Sequence, residues 1–135
     1  MLLIHPPIAK PCEPPAGIAR LAGAMGDYPF SVIDANLKFI LKSINLPTGA
    51  DDTWTRRSKK NLKANLDYLK YKQPWKLDRY IRAVMDINRM LERSVQSEGI
   101  RVNLSNYQDE NLSPVKSSDL LQAAETPEKS PLYNF

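Results

Sequence analysis

The sequence predicts an α/β protein, helix-rich overall, that opens on a strand–helix–strand unit. Three observations carry this. Leu2-Leu3-Ile4 is a short apolar run halted by His5-Pro6-Pro7, where proline can neither donate to a sheet ladder nor let its predecessor turn helical. Pro14 and Pro15 then precede an Ala-, Ile- and Leu-rich run. Proline is tolerated in a first helical turn, whose N–H groups lack intrahelical partners anyway. Finally, Phe30, Val32 and Ile33 form a second apolar run that stops at Asp34 and Asn36, as a buried strand does at its rim. The intervening helix is expected to start near Pro15 and to close at Gly26.

The later elements follow from periodicity and punctuation. Leu37, Ile40, Leu41 and Ile44 recur at helical spacing until Asn45, Pro47 and Gly49, which predicts a short second helix. Residues 47–55 read as a linker. Leu62, Leu66 and Leu69 alternate with lysines as one amphipathic helix, and Pro74 separates it from the next. From Asp78 the positions Ile81, Val84, Met85, Ile87, Met90, Leu91 and Val95 make a wide apolar stripe, the strongest helix of the chain, ending near Gly99. Ile100, Val102 and Leu104 alternate with Arg101 and Asn103 as a half-buried strand that gives way to polar Ser105–Asn111. Ser117 or Ser118 is placed to cap a helix containing Leu120, Leu121, Ala123 and Ala124. Thr126-Pro127-Glu128 looks like a further helix start.

Composition limits the classes. The chain has 135 residues, enough for one domain with a real core. Its formal charge is +4 with an isoelectric point near 9.2, and much of the excess lies between Arg56 and Lys76. A single cysteine, Cys12, excludes an intrachain disulfide and a Cys-only metal site within one chain, and fits a reducing, cytoplasmic compartment. Leu2–Ile4 is too short for a signal-peptide core, and no run approaches the roughly 20 apolar residues of a membrane span. Two or three strands hardly cover both faces of a parallel sheet, and residues 126–135 read as an element beginning. The expectation is therefore the front part of a longer protein, prone to self-association through an exposed sheet edge.

In open α/β sheets, ligands sit beyond the carboxyl ends of the strands, so residues 5–12 and 34–36 form the expected rim. His5 there is a candidate metal or cofactor ligand, or simply a packed, backbone-bonded side chain. Asp34 is a candidate for a ribose hydroxyl, or the cap of the second helix. No Gly-x-Gly-x-x-Gly lies between the first strand and helix, which argues against pyrophosphate binding of the dinucleotide type. Cys12 has no partner cysteine or second histidine to activate it or share a metal. With His5 the only histidine, a Ser-His-Asp hydrolase has no support. The run Arg56, Arg57, Lys59, Lys60, Lys63, Lys70, Lys72 and Lys76, interleaved with Trp54, Tyr68, Tyr71 and Trp75, has the two ingredients of a nucleic-acid surface, cations and stacking rings. Lysines opposite a Leu62, Leu66 and Leu69 stripe are also the ordinary solvated face of an amphipathic helix, which is the favoured reading.

Three motifs, taken together, carry a resemblance: Leu3-Ile4-His5-Pro6-Pro7, then Pro14-Pro15-Ala16-Gly17-Ile18-Ala19-Arg20-Leu21-Ala22-Gly23, then Val32-Ile33-Asp34-Ala35-Asn36. In this order and spacing they resemble the N-terminal region of cobalamin-binding radical S-adenosylmethionine proteins. The resemblance covers about the first third of the chain, and the rest looks like a helical insertion before a third strand. It implies a partial Rossmann-like domain: a βαβ start over residues 1–46, a helical insertion over 47–99, and a strand and helices over 100–135 leading toward a further part. It also implies His5, Pro6, Pro7, Asp34 and Asn36 as cofactor-binding rim positions. Cobalamin is the implied cofactor, and a C-terminal radical barrel of the same parent protein is the implied partner. S-adenosylmethionine and a 4Fe-4S cluster would belong to that barrel. This chain contains neither a Cys-x-x-x-Cys-x-x-Cys nor an Asp-x-His-x-x-Gly lower-ligand motif, so the module is non-catalytic by itself and its cobalamin site incomplete. The alternative is a small standalone interaction or nucleic-acid-binding protein using the basic helix 56–76.

Overall fold

The computed structural model describes residues 1–8, 15–70, 76–96, 99–113, 115–130 and 133. The fold is mixed α/β and rich in helix. Strand β1 (Leu2–His5) leads to helix α1 (Ala16–Ala24) and strand β2 (Ser31–Asp34), which runs parallel to β1 with Leu3 beside Val32 and His5 beside Asp34. Helix α1 starts after Pro15 and ends at Met25, whose N–H donates to the carbonyls of Leu21 and Ala22. Gly26 follows with φ +54°, the left-handed conformation that lets a chain leave a helix without a Cβ clash.

Helix α2 (Ala35–Ser43) begins directly at the end of β2, and its inner face buries Asn36, Phe39, Ile40 and Ser43. Helices α3 (Thr53–Lys70) and α4 (Leu77–Ser94) form an antiparallel pair. The break between them contains Pro74, which lies outside the described residues, as do Cys12, Tyr71, Lys72 and Trp75. The linker is shorter than the sequence suggests, because the Asp52 carboxylate accepts the Thr55 N–H at 2.7 Å and starts α3 at Thr53.

The core lies where α2, α4 and the segment after α4 meet. Phe39, Ile40 and Ile44 pack with Ile87, Met90, Leu91 and Val95 and with Ile100 and Val102, while Leu62, Leu66, Leu104 and Tyr107 close its edges. Leu3 is the buried residue of β1. Burying one such aliphatic side chain is worth about 1.5–3 kcal/mol, so this cluster anchors the fold. Helix α1, by contrast, has no buried residue.

Three sequence expectations change here. The polar segment after the third strand is itself a strand: β3 (Ile100–Asn103) turns at Leu104-Ser105 into β4 (Asn106–Asp109), antiparallel to it. β3 and β4 form a two-stranded sheet of their own, so β3 does not extend the β1–β2 sheet. A two-residue connection favours the neighbouring antiparallel strand, whereas a parallel addition needs a long crossover. Helix α5 (Ser117–Glu125) follows, with Lys116 rather than a serine at its cap and no side-chain bond there, and Pro127–Lys129 forms one turn of 3-10 helix. No described helix is long and apolar enough to cross a membrane.

Candidate functional site

The parallel pairing of β1 and β2 brings the two rim segments together, because His5 is the direct neighbour of Asp34 at the carboxyl ends of the strands. Both side chains are half-buried, Pro6 is exposed and Pro7 half-buried. Asp34 is already engaged through one oxygen, since its Oδ1 accepts the Leu37 N–H at 2.8 Å and caps α2, satisfying one of the orphan donors of a helix start. Asn36, in the first turn of α2, is buried beneath that helix and does not join His5, Pro6, Pro7 and Asp34 at the surface. Among the described residues no group of three or more His, Cys, Asp or Glu is placed to hold a metal ion.

A second polar constellation sits between α3 and α4 and is invisible to a search for apolar stripes. Asp86 is buried, yet its Oδ1 accepts Arg57 Nη2 and Ser58 Oγ, both at 3.1 Å, and its Oδ2 accepts Asn65 Nδ2 at 3.1 Å. An ionised carboxylate only accepts, so the Asn65 amide must turn its NH2 toward it. The Asn65 Oδ1 is left without a partner among the described residues. Burial works to raise the Asp86 pKa, but the bonds from Arg57, Asn65 and Ser58 outweigh it, and the group is held below its ordinary 3.8. One turn further, Arg89 Nε donates to Thr55 Oγ1 at 3.2 Å, its Nη2 pairs with Asp52, and its guanidinium stacks 4.9 Å from the Trp54 ring centroid. The Thr55 backbone N–H, then its hydroxyl, then Arg89 pull Asp52 down to a pKa of about 2.

The signal for this seam is present in the spacing. Thr55, Ser58, Leu62, Asn65 and Leu69 follow a 3-4-3-4 repeat, and Ala83, Asp86 and Met90 do the same on α4, the pattern of a helix–helix contact. Half of those residues are polar, so hydrophobicity alone passes over them. An acid flanked by Ala83, Ile87 and Met90 is a charge on a core-facing stripe, and such a charge needs partners. Every Asp86 oxygen is occupied, which makes it a structural acceptor rather than a base awaiting substrate.

The basic run divides once its geometry is known. Arg57 is tied to Asp86 and Lys59 to Asp51 at 2.6 Å. Trp54 stacks under Arg89, and Tyr68 lies 5.3 Å under Arg79 while its hydroxyl accepts the Lys76 N–H at 3.0 Å. Among the described aromatics of the run, both are thus engaged within the hairpin instead of being presented to bases. Lys60, Lys63 and Lys70 are exposed along the side of α3 away from α4. No protein-family model, curated protein or solved structure matches this chain.

Proposed function

We propose that this chain is the N-terminal, cobalamin-binding-type module of a radical S-adenosylmethionine iron–sulfur enzyme, with a partial Rossmann-like start and no catalysis of its own. The observation that carries the reading is the parallel β1–α1–β2 unit, with His5 and Asp34 side by side at its carboxyl rim. That rim is where open α/β sheets bind ligands, and the three motifs that resemble the family lie on its strands, crossover helix and rim loop. The residues fit part of a cobalamin cradle. His5 supplies a ring nitrogen, Pro6 and Pro7 a loop surface, and Asp34 one carboxylate oxygen beyond the one that caps α2. When bound, cobalamin would supply the alkyl or electron chemistry; the chain's residues would position it at the strand ends. The internal engagement of Trp54, Tyr68, Arg57 and Lys59 weighs against the nucleic-acid alternative.

Reading the coding DNA beyond the codon for Phe135 tests this directly. An open frame that continues into further strands and a Cys-x-x-x-Cys-x-x-Cys is the expected result. A stop codon, or a continuation without that motif, overturns the proposal. Equilibrium dialysis of the full protein against hydroxocobalamin, with His5→Ala as the comparison, then reports whether the rim is used.

A further inference from the structure

Helix α4 is amphipathic along its whole length but covered along only part of it. Leu77, Ile81 and Met85 stand at i, i+4 and i+8 on one stripe and are 61, 44 and 48% exposed. Further along the same stripe, Asn88 is covered by the β3–β4 turn and accepts the Leu104 N–H at 2.8 Å. The bare half therefore continues a surface that is packed elsewhere in the molecule. Three large aliphatic side chains in line on a solvent-facing helix are characteristic of a contact surface.

The charges beside the stripe indicate what fits it. Asp78 and Arg82 lie one turn apart on the same flank. Arg82 donates through Nε to the Asp78 carbonyl at 3.1 Å, while the Asp78 carboxylate has no partner among the described residues. We propose that the stripe seats a second copy of this chain, the two α4 helices packing antiparallel about a two-fold axis at Ile81. In that arrangement Leu77 of each copy meets Met85 of the other. With a rise of 1.5 Å per residue, each Asp78 lies within about 3 Å, along the helix axis, of the other copy's Arg82. The patch is self-complementary in shape and charge, as an isologous contact requires. The exposed lysines of α3 point away from α4 and stay outside the contact.

Sedimentation velocity and light scattering of the full chain at physiological salt test this. The wild type is expected to dimerise with rising concentration. Ile81→Glu and Met85→Glu should each raise the dimer Kd at least about tenfold with an unchanged far-UV spectrum, since both side chains are already exposed. Asp78→Arg and Arg82→Asp should each weaken the dimer, and the two together should restore it. A protein monomeric at every concentration overturns the inference, as does a doubly reversed variant that stays weakened. So does an association that survives Ile81→Glu but is lost with Ile4→Glu or Val32→Glu, which would assign the contact to the exposed β1–β2 face.

Discussion

Replacing Asp86 with alanine should cost about 4 kcal/mol of folding stability, and the size follows from what is left behind. Ser58 and Asn65 are completely buried and both donate to this carboxylate. Each stranded donor costs about 1–3 kcal/mol. Arg57 adds little, because its side chain is 60% exposed and its charge returns to water. The sum, about 2–6 kcal/mol, agrees with the usual cost of removing one partner from a buried charged cluster, and it is a large fraction of a domain's total of roughly 5–15 kcal/mol. Urea unfolding followed by far-UV circular dichroism at neutral pH reads this as a lower midpoint at unchanged slope. The companion variant removes the whole cluster at once: Ser58→Ala, Asn65→Leu and Asp86→Leu together should return to within about 1 kcal/mol of the wild type, since no donor is then orphaned. An Asp86→Ala loss below about 1 kcal/mol would refute the reasoning, and so would a triple variant as unstable as the single one.

Asp52 and Asp86 are both held below their ordinary 3.8, Asp52 to about 2. Their contributions are therefore complete above that ordinary value and are lost as pH falls through the folded values. Urea midpoints should be level from neutral down to mildly acidic pH and drop below about pH 4, less steeply in Asp52→Asn. Asp34→Ala should cost about 1 kcal/mol by uncapping α2, whereas Asp34→Asn keeps most of the stability; equal losses in chemical denaturation would dismiss the cap. Gly99 has φ +71°, and a Cβ there would lie 2.8 Å from Asn111 Nδ2. Gly99→Ala should lower stability by about 1–2 kcal/mol, and adding Asn111→Ala should recover only the steric share; full recovery in a thermal melt would show that the backbone conformation carries no cost.

The βαβ opening was legible because its signals are local and chemical: prolines at the strand end and helix start, a glycine after α1, and an acid at the start of α2. The strand pairing beyond it was not. Asn106–Asp109 carries no alternation of apolar residues, and β4 exists because β3 and a two-residue turn hold it in place, a tertiary cause no window of sequence contains. In α4 the apolar stripe predicts an amphipathic helix, which the fold contains. Ile81 and Met85 nevertheless stay exposed, because pattern reports what a helix can bury and not whether a neighbour reaches that far. Phe39, among the largest fully buried side chains, fell between the positions singled out on α2. The pairing of β1 with β2 sets His5 beside Asp34 at the strand ends, whereas the burial of Asn36 depends on how α2 packs, which no motif states.

The acidic seam between α3 and α4 also determines which alignment of the two helices is allowed. Leu62, Leu66 and Leu69 would pack almost as well if α3 slid by one turn, about 5.4 Å, since leucine contacts carry little directional preference. A slip in one direction would set Asp86 against Leu62 and Leu69 in place of Ser58 and Asn65, and a slip in the other would bring Trp54 and Asn61 to those places. The first move leaves the carboxylate facing two leucines, and the second forces the Trp54 ring into the space of the fully buried Ser58. The cluster thus works as a key with a single seating, trading apolar contact for uniqueness. The all-apolar triple variant should accordingly be stable but less singular, with amide resonances of α3 doubling or broadening in heteronuclear NMR spectra. One sharp set of α3 peaks in that variant would show that the leucines define the alignment unaided.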